Sequence, residues 1–254
     1  MLKIITLIAC FVLLSAPACF SDIDTDFSTS YVCTDLEGNP RWSAKAIIKH
    51  LKDDPDDIFI LTEDGIGYYS GFEDEVSWVS VLRFKSTKDI VKPIRVEKRV
   101  LNKAKELLVI ETQEFDYTDK KISCTKKDKV KNRETMREFN FSSDPINRLA
   151  LSLYVQKLLN NGSRERRVDL LTSEPSLIAV DIRVIKEEVI DIHNKELPAL
   201  KICLDPNLGL LSIFKVFLPK AYTWHLAEGD FAWLKYKGPE SSPTSIKVLI
   251  ETKG

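Results

Sequence analysis

The chain predicts a mainly β protein: a single large curved antiparallel sheet, half-barrel-like, crossed by one α-helix. Three observations carry that expectation. Short apolar runs recur with polar turns of a few residues between them, the spacing of an antiparallel meander. Residues 76–84 alternate, with Val76, Trp78, Ser80, Leu82 and Phe84 set against Ser77, Val79, Val81 and Arg83, as in a half-buried strand. Only residues 145–160 carry a helical period together with helix start and stop signals.

In chain order, a Gly38-Asn39-Pro40 turn opens a strand over 42–51, which the run Asp53-Asp54-Pro55-Asp56-Asp57 closes. Residues 58–61 are short and apolar, and Glu63-Asp64-Gly65 is expected to turn them into a strand over 66–70. Strands over 76–84, 94–101, 107–115 and 121–126 follow. Ser143 or Asp144 is the natural cap of the helix, Pro145 takes the favoured first position, and Asn161-Gly162 stops it. Ile146, Leu149, Ala150, Leu153, Tyr154 and Leu158 fall on one face, so the helix is expected to pack on the core. Arg148 and Lys157 are too few for a membrane-surface helix. Strands resume over 168–172, 177–188, 197–204 and 210–218. Residues 221–226 and 231–237 make a hairpin around Ala227-Glu228-Gly229-Asp230, and 246–252 is the last strand. No break in composition separates these parts, so 22–254 reads as a single β-rich domain. A sheet of ~11 strands has to curl or split.

Residues 1–21 read as a secretory signal: Lys3, the apolar run 4–14, then Ala16-Pro17-Ala18. The run is short for a span, which takes about 20 residues. A cut after Ala18 leaves Cys19 first, the position acylated in bacterial lipoproteins, although Ala16-Pro17-Ala18 is a poor lipobox. The other reading of the cut is ordinary cleavage after Ala18 or Ser21, and an uncleaved anchor is the third and least favoured reading. Either cut places the protein in the periplasm or outer cell envelope, touching a membrane only if Cys19 is acylated. Cys33, Cys124 and Cys203 allow one disulfide and one thiol there, yet each lies in a strand-like stretch and suits a buried thiol as well.

Composition removes several classes of function. Lysine and arginine number 37 against 38 acidic residues, so a nucleic-acid partner is not expected. With 30% charged and 44% hydrophobic residues the chain is globular in type. The phosphate-cradling patterns G-x-G-x-x-G and G-x-x-x-x-G-K-[ST] are absent, as are C-x-x-C and G-x-S-x-G. No cofactor or metal site is expected. His50, His193 and His225 share no motif; His225, among Tyr222, Trp224 and Trp233, is the best placed, and a structural histidine is the plainer reading. The acidic run 53–57 lacks a calcium-loop pattern. Eight basic residues between Lys120 and Arg137 suit a solvated loop better than a lipid-binding patch. Asn140-Phe141-Ser142 and Asn161-Gly162-Ser163 match a glycosylation pattern too short to carry weight.

From about residue 90 onward the order of elements resembles a family of secreted β-rich proteins of Gram-negative bacteria, the domain of unknown function three-one-zero-eight. The resemblance rests on Lys92-Pro93-Ile94 before the charged, alternating stretch 107–117; on Asp144-Pro145-Ile146 opening the helix ahead of Asn161-Gly162; on the strand ending Glu188-Val189 with Leu197, Ala199 and Lys201 after its turn; and on the aromatic hairpin 222–236 with a final strand. Asn194-Lys195-Glu196 departs from the usual glycine-containing turn, and no proline follows Asp230. The family implies a curved antiparallel sheet and an envelope location, and brings no catalytic residues.

These readings lead to a non-enzymatic envelope protein. Its curved sheet, partly closed by the helix, is expected to hold a lipid, an acyl chain or another apolar group. Trp78, Leu82, Tyr154, Trp224 and Trp233 are the candidates to line such a space; the same side chains suit a solid core equally. The alternative is a structural or adaptor protein that binds other envelope proteins through its sheet edges or its basic loop.

Overall fold

The computed structural model describes residues 27–51, 57–87, 89–172, 175–207, 220–242 and 245–253. The leader over 1–21, Cys19, the strand expected over 210–218 and all but Asp57 of the acidic run lie outside them. Fifteen strands form one sheet: β1 Phe27–Asp35, β2 Pro40–His50, β3 Ile58–Gly67, β4 Val76–Ser86, β5 Val91–Leu101, β6 Leu107–Asp116, β7 Lys121–Asp128, β8 Arg133–Asn140, β9 Asp144–Asn147, β10 Glu165–Leu171, β11 Leu177–Ile192, β12 Lys195–Pro206, β13 Ala221–Leu226, β14 Trp233–Pro239 and β15 Lys247–Thr252. Among the described residues a single α-helix, α1 Leu151–Asn160, follows β9 through a tight turn over Arg148–Ala150.

The strand order is two meanders joined at the middle. From β1 the chain walks outward to β8 at one edge, passes through residues 141–143 to β9 at the opposite edge, and walks back until β15 lies beside β1. Neighbouring strands are antiparallel except β9 and β10, which run parallel, so the sheet is mixed rather than wholly antiparallel. Each strand pair adds a right-handed twist of roughly 20–25°, and fifteen strands cannot stay flat under it. One face becomes concave without the sheet closing into a barrel. Side chains from β2–β7 and from β9–β12 then meet in one apolar cluster under α1, including Leu82, Phe84, Ile122, Ile146, Ile182 and Ile202.

Three local expectations are corrected. Glu63-Asp64-Gly65 is not a turn: β3 runs straight through it, because Glu63 is taken up inside the protein and Gly65 lets the Trp78 ring lie on the backbone. The helix does not start at Pro145. Residues 144–147 pair in parallel with 168–171, held there because the Asp169 carboxylate accepts from the Ser142 and Ser143 backbone N–H at 2.6 and 2.8 Å. The cap falls to Asn147, whose Oδ1 accepts from Ala150 N at 3.0 Å. Much of the basic stretch is a hairpin rather than a loop: β8 pairs with β7 at the sheet edge, Lys126 bridges Glu111 at 2.8 Å and Lys127 bridges Glu134 at 3.2 Å. β1 joins the two meanders although nothing in residues 27–35 announces it. The turn at Asn194 works without glycine, since His193 and Asn194 both take positive φ, 52° and 61°, as the tight hairpin turn β11–β12 requires.

Cys33, Cys124 and Cys203 are buried and no disulfide joins them. A Cβ added to Gly65 would run into the Trp78 ring, so Gly65→Ala is expected to lose about 1–3 kcal/mol. A fall in the urea midpoint at unchanged slope checks it; an unchanged midpoint would mean that the Trp78 ring moves aside freely.

Candidate functional site

Inward-facing positions on β1–β7 form rows across the concave face, and one row is polar. Thr29, Ala46, Glu63, Ser80, Lys98, Glu111 and Lys126 are register partners from strand to strand. On one side lies the row Ile48, Leu61, Leu82, Val96, Gln113, Cys124, and on the other Ala44, Gly65, Trp78, Val100, Val109. The polar belt therefore separates the cluster under α1 from a second, aromatic-rich cluster containing Trp42, Tyr69, Trp78, Val248 and Ile250.

Between α1 and the sheet lies a cavity of about 270 Å³. Leu149, Ser152, Leu153 and Gln156 face it at helical three- and four-residue spacing. Ile48, Leu61, Leu171, Val180, Leu204, Ile250 and the rings of Tyr31, Trp42, Trp233 and Tyr236 make up much of the rest. Most of the surface it presents is apolar, and two of its polar lining residues are deeply buried carboxylates.

Glu63 is 3% exposed. Its Oε1 accepts from Trp78 Nε1 at 3.0 Å and from Arg148 Nη2 at 3.2 Å, and its Oε2 accepts from the Tyr31 hydroxyl. Burial alone would push this carboxyl up; the Arg148 guanidinium and the Tyr31 and Trp78 donors outweigh it, and the acid sits below its ordinary value. Burial and the facing Glu63 charge push the Tyr31 hydroxyl the other way, so Tyr31 stays protonated and donates. Glu240, 2% exposed, is likewise saturated. Its Oε1 accepts from Trp42 Nε1 at 2.6 Å and Arg41 Nε at 3.2 Å, its Oε2 from Ser70 N at 2.7 Å and Arg41 Nη2 at 3.1 Å. Each buried acid thus holds one arginine and one indole, and Trp42 and Trp78 meet edge to face at 5.6 Å.

Comparison with known proteins adds nothing to this picture. No family model, curated protein or solved structure matches the chain. The site has to be read from its own geometry.

Of the five aromatic and aliphatic residues expected to line such a space, Trp233 does, its Nε1 donating to Thr223 Oγ1 at 3.0 Å. The other four lie elsewhere, each for a physical reason. Trp78 lies behind Glu63, held by its indole hydrogen bond and by the space over Gly65. Leu82 is fully buried in the cluster under α1. Tyr154 sits on the part of α1 that faces the core, its hydroxyl donating to Asp144 Oδ2 at 2.8 Å. Trp224 is on the opposite face of the sheet, because 221 and 223 face the cavity on β13 and 222 and 224 therefore point away. There it donates to Glu188 Oε1 at 2.7 Å, under Lys201. Sequence reasoning missed Glu63, Arg148, Tyr31, Trp42 and Glu240. The available signal was an acid in step with the buried positions 59 and 61 of β3, and a single arginine between Ile146 and Leu149.

His225 is fully buried on the concave side of β13 and does not line the cavity. Its Nδ1 lies 2.9 Å from the Phe231 carbonyl, which assigns the proton to Nδ1 and leaves Nε2 buried without a partner. Burial pushes its pKa down to about 4, against the smaller upward pull of the Phe231 bond. Among the described residues, no group of three or more His, Cys, Asp or Glu side chains is placed to hold a metal.

Breaking the Glu63–Arg148 pair leaves a buried charge alone, so Arg148→Met is expected to cost about 3–5 kcal/mol, with Glu63→Gln added to it restoring part of the loss. Denaturant unfolding of the two variants checks this; a double variant no better than the single one would remove the pair from the account. His225 stays neutral in the fold while the unfolded chain takes up a proton below about pH 6.5. Stability therefore falls with pH from 6.5 to 4, by up to about 3 kcal/mol. Unfolding free energies of the unaltered protein and of His225→Gln across pH 7–5 separate this from the loss at Glu63, which starts only below about 4.3; parallel profiles would rule it out.

Proposed function

We propose that the protein is a non-enzymatic cell-envelope protein that holds a lipid or another apolar group in the cavity between α1 and its curved sheet. The cavity itself carries the reading. About 270 Å³ of space lies inside the single sheet, bordered by Ile48, Leu61, Leu171, Val180, Leu204 and Ile250. That is near the lower end of small-ligand sites, and such walls favour hydrocarbon over water. The envelope address draws on the leader over 1–21 and on the resemblance to the secreted family three-one-zero-eight, and membership of that family belongs to the same proposal. No helix among the described residues is long and apolar enough to cross a bilayer; attachment to a membrane enters only through acylation of Cys19.

A second reading, an adaptor for other envelope proteins, draws on β8, whose outer edge no strand of the sheet covers. Its side chains argue the other way. Arg133, Glu134, Arg137 and Glu138 are exposed charges of the kind that discourage strand addition. Ligand holding is therefore the stronger reading.

Protein purified without detergent is expected to release one apolar molecule per chain on solvent extraction, read by mass spectrometry. After stripping, it is expected to bind the neutral dye N-phenyl-1-naphthylamine. Ser152→Trp, which puts an indole into the cavity from α1, is expected to weaken dye binding roughly tenfold at near-unchanged stability. No extracted molecule together with no dye binding would overturn the proposal.

A further inference from the structure

Among the described residues that line the cavity, Arg148 is the one cation, and it has hydrogen-bonding capacity to spare. A guanidinium carries five N–H donors, and here a single bond, Nη2 to Glu63 Oε1, is made. Glu63 can offer little more, since Tyr31 and Trp78 occupy it as well. The Arg148 side chain is 28% exposed. It lines the main cavity on one side and, on the other, a small polar space of about 30 Å³ that it shares with Lys98, Glu111 and Gln113.

The charges around Arg148 fix the sign of what it can take. Glu63 balances Arg148 and Glu240 balances Arg41, while Lys98 reaches the same region with its Nζ 3.8 Å from the centre of the Tyr69 ring. Glu111, which borders the small space, is engaged by Lys126. One positive charge is left over. A cationic group would meet Arg148 and Lys98, whereas a single negative charge completes the set. A carboxylate also fits the guanidinium geometrically, since two planar groups can pair through parallel N–H···O bonds.

From this donor-rich guanidinium set in apolar walls, we infer that the cavity takes a long-chain carboxylic acid, with the carboxylate on Arg148 and the hydrocarbon tail along the apolar lining. The inference rests on the apolar-ligand reading above and deepens it, naming the ligand class and the residue that selects it.

The test compares hexadecanoic acid with hexadecan-1-ol at neutral pH, reading displacement of N-phenyl-1-naphthylamine from the stripped full-length mature protein. The acid is expected to bind roughly tenfold or more tightly than the alcohol, the gain of a charge-assisted bond over a neutral one. Arg148→Gln combined with Glu63→Gln, which leaves no buried charge alone, is expected to abolish that preference while the alcohol still binds. Should that double variant fail to fold, the acid-to-alcohol ratio of the unaltered protein still decides. Equal binding of acid and alcohol, with the dye still displaced, overturns the carboxylate inference and leaves the apolar site standing. Failure of dye, acid and alcohol alike overturns both.

Discussion

A charge pair drawn through an apolar interior, Glu63 to Arg148, ties the element that crosses the sheet to the sheet itself. The partners are 85 residues apart, one on an inner strand and the other on the turn between β9 and α1. Taking both out of water costs several kcal/mol per ion, and their attraction repays this only with good geometry and further donors. Tyr31 and Trp78 are those donors. Such a pair adds little net stability but penalises alternatives strongly. A one-residue slip of β3 would turn Glu63 outward and leave Arg148 buried without its acid. The pair thus fixes both the register of β3 and the place where the helix begins.

The route of the chain imposes a second constraint. After β8 it must reach the opposite edge of a fifteen-strand sheet in three residues, 141–143. The sheet can satisfy that only by curling until its two edges approach. Asp169 secures the crossing by accepting the two backbone N–H groups of Ser142 and Ser143, which would otherwise be lost between strands. The edges are joined through the chain but not paired as strands, so the wall stays open. The turn and helix that follow have to fall inside the curve, where α1 buries Tyr154, Val155, Leu158 and Leu159 in the core while Leu149, Ser152, Leu153 and Gln156 front the cavity.

How much of this could be read in the sequence depends on whether the signal was local. The alternation of β4, the apolar face of α1 and the aromatic hairpin are local patterns, and the curved sheet with one helix follows from them. β8 carries no apolar alternation because, as an edge strand, it buries none of its residues. Glu63-Asp64-Gly65 has the composition of a turn and becomes strand through partners 15 and 85 residues away. For the site, Trp233 was legible as an aromatic on a strand. Trp224, one residue from a bulge on the neighbouring strand, pointed to the wrong face because a face can be assigned only once the register is known. Arg148 looked like a residue of the polar side of a helix and lies instead in the turn before it.

The hollow under α1 stays open for structural reasons. Proteins pack their interiors to near-crystalline density, yet about 270 Å³ stays open between α1 and the sheet. Small residues keep it open: Ala46, Ser152, Ala221 and Ala232 stand on its walls at places where a leucine or phenylalanine would close it. Beside it, Arg41, Trp42, Tyr31 and Trp78 are each bound to a buried acid, so the polar and aromatic groups cannot swing in to fill the gap. Loose packing would leave side chains free to collapse inward; here the side chains bordering the space are fixed by hydrogen bonds that do not depend on anything inside it. The hollow is therefore a property of the frame around it: small residues on its walls and side chains tied to buried acids.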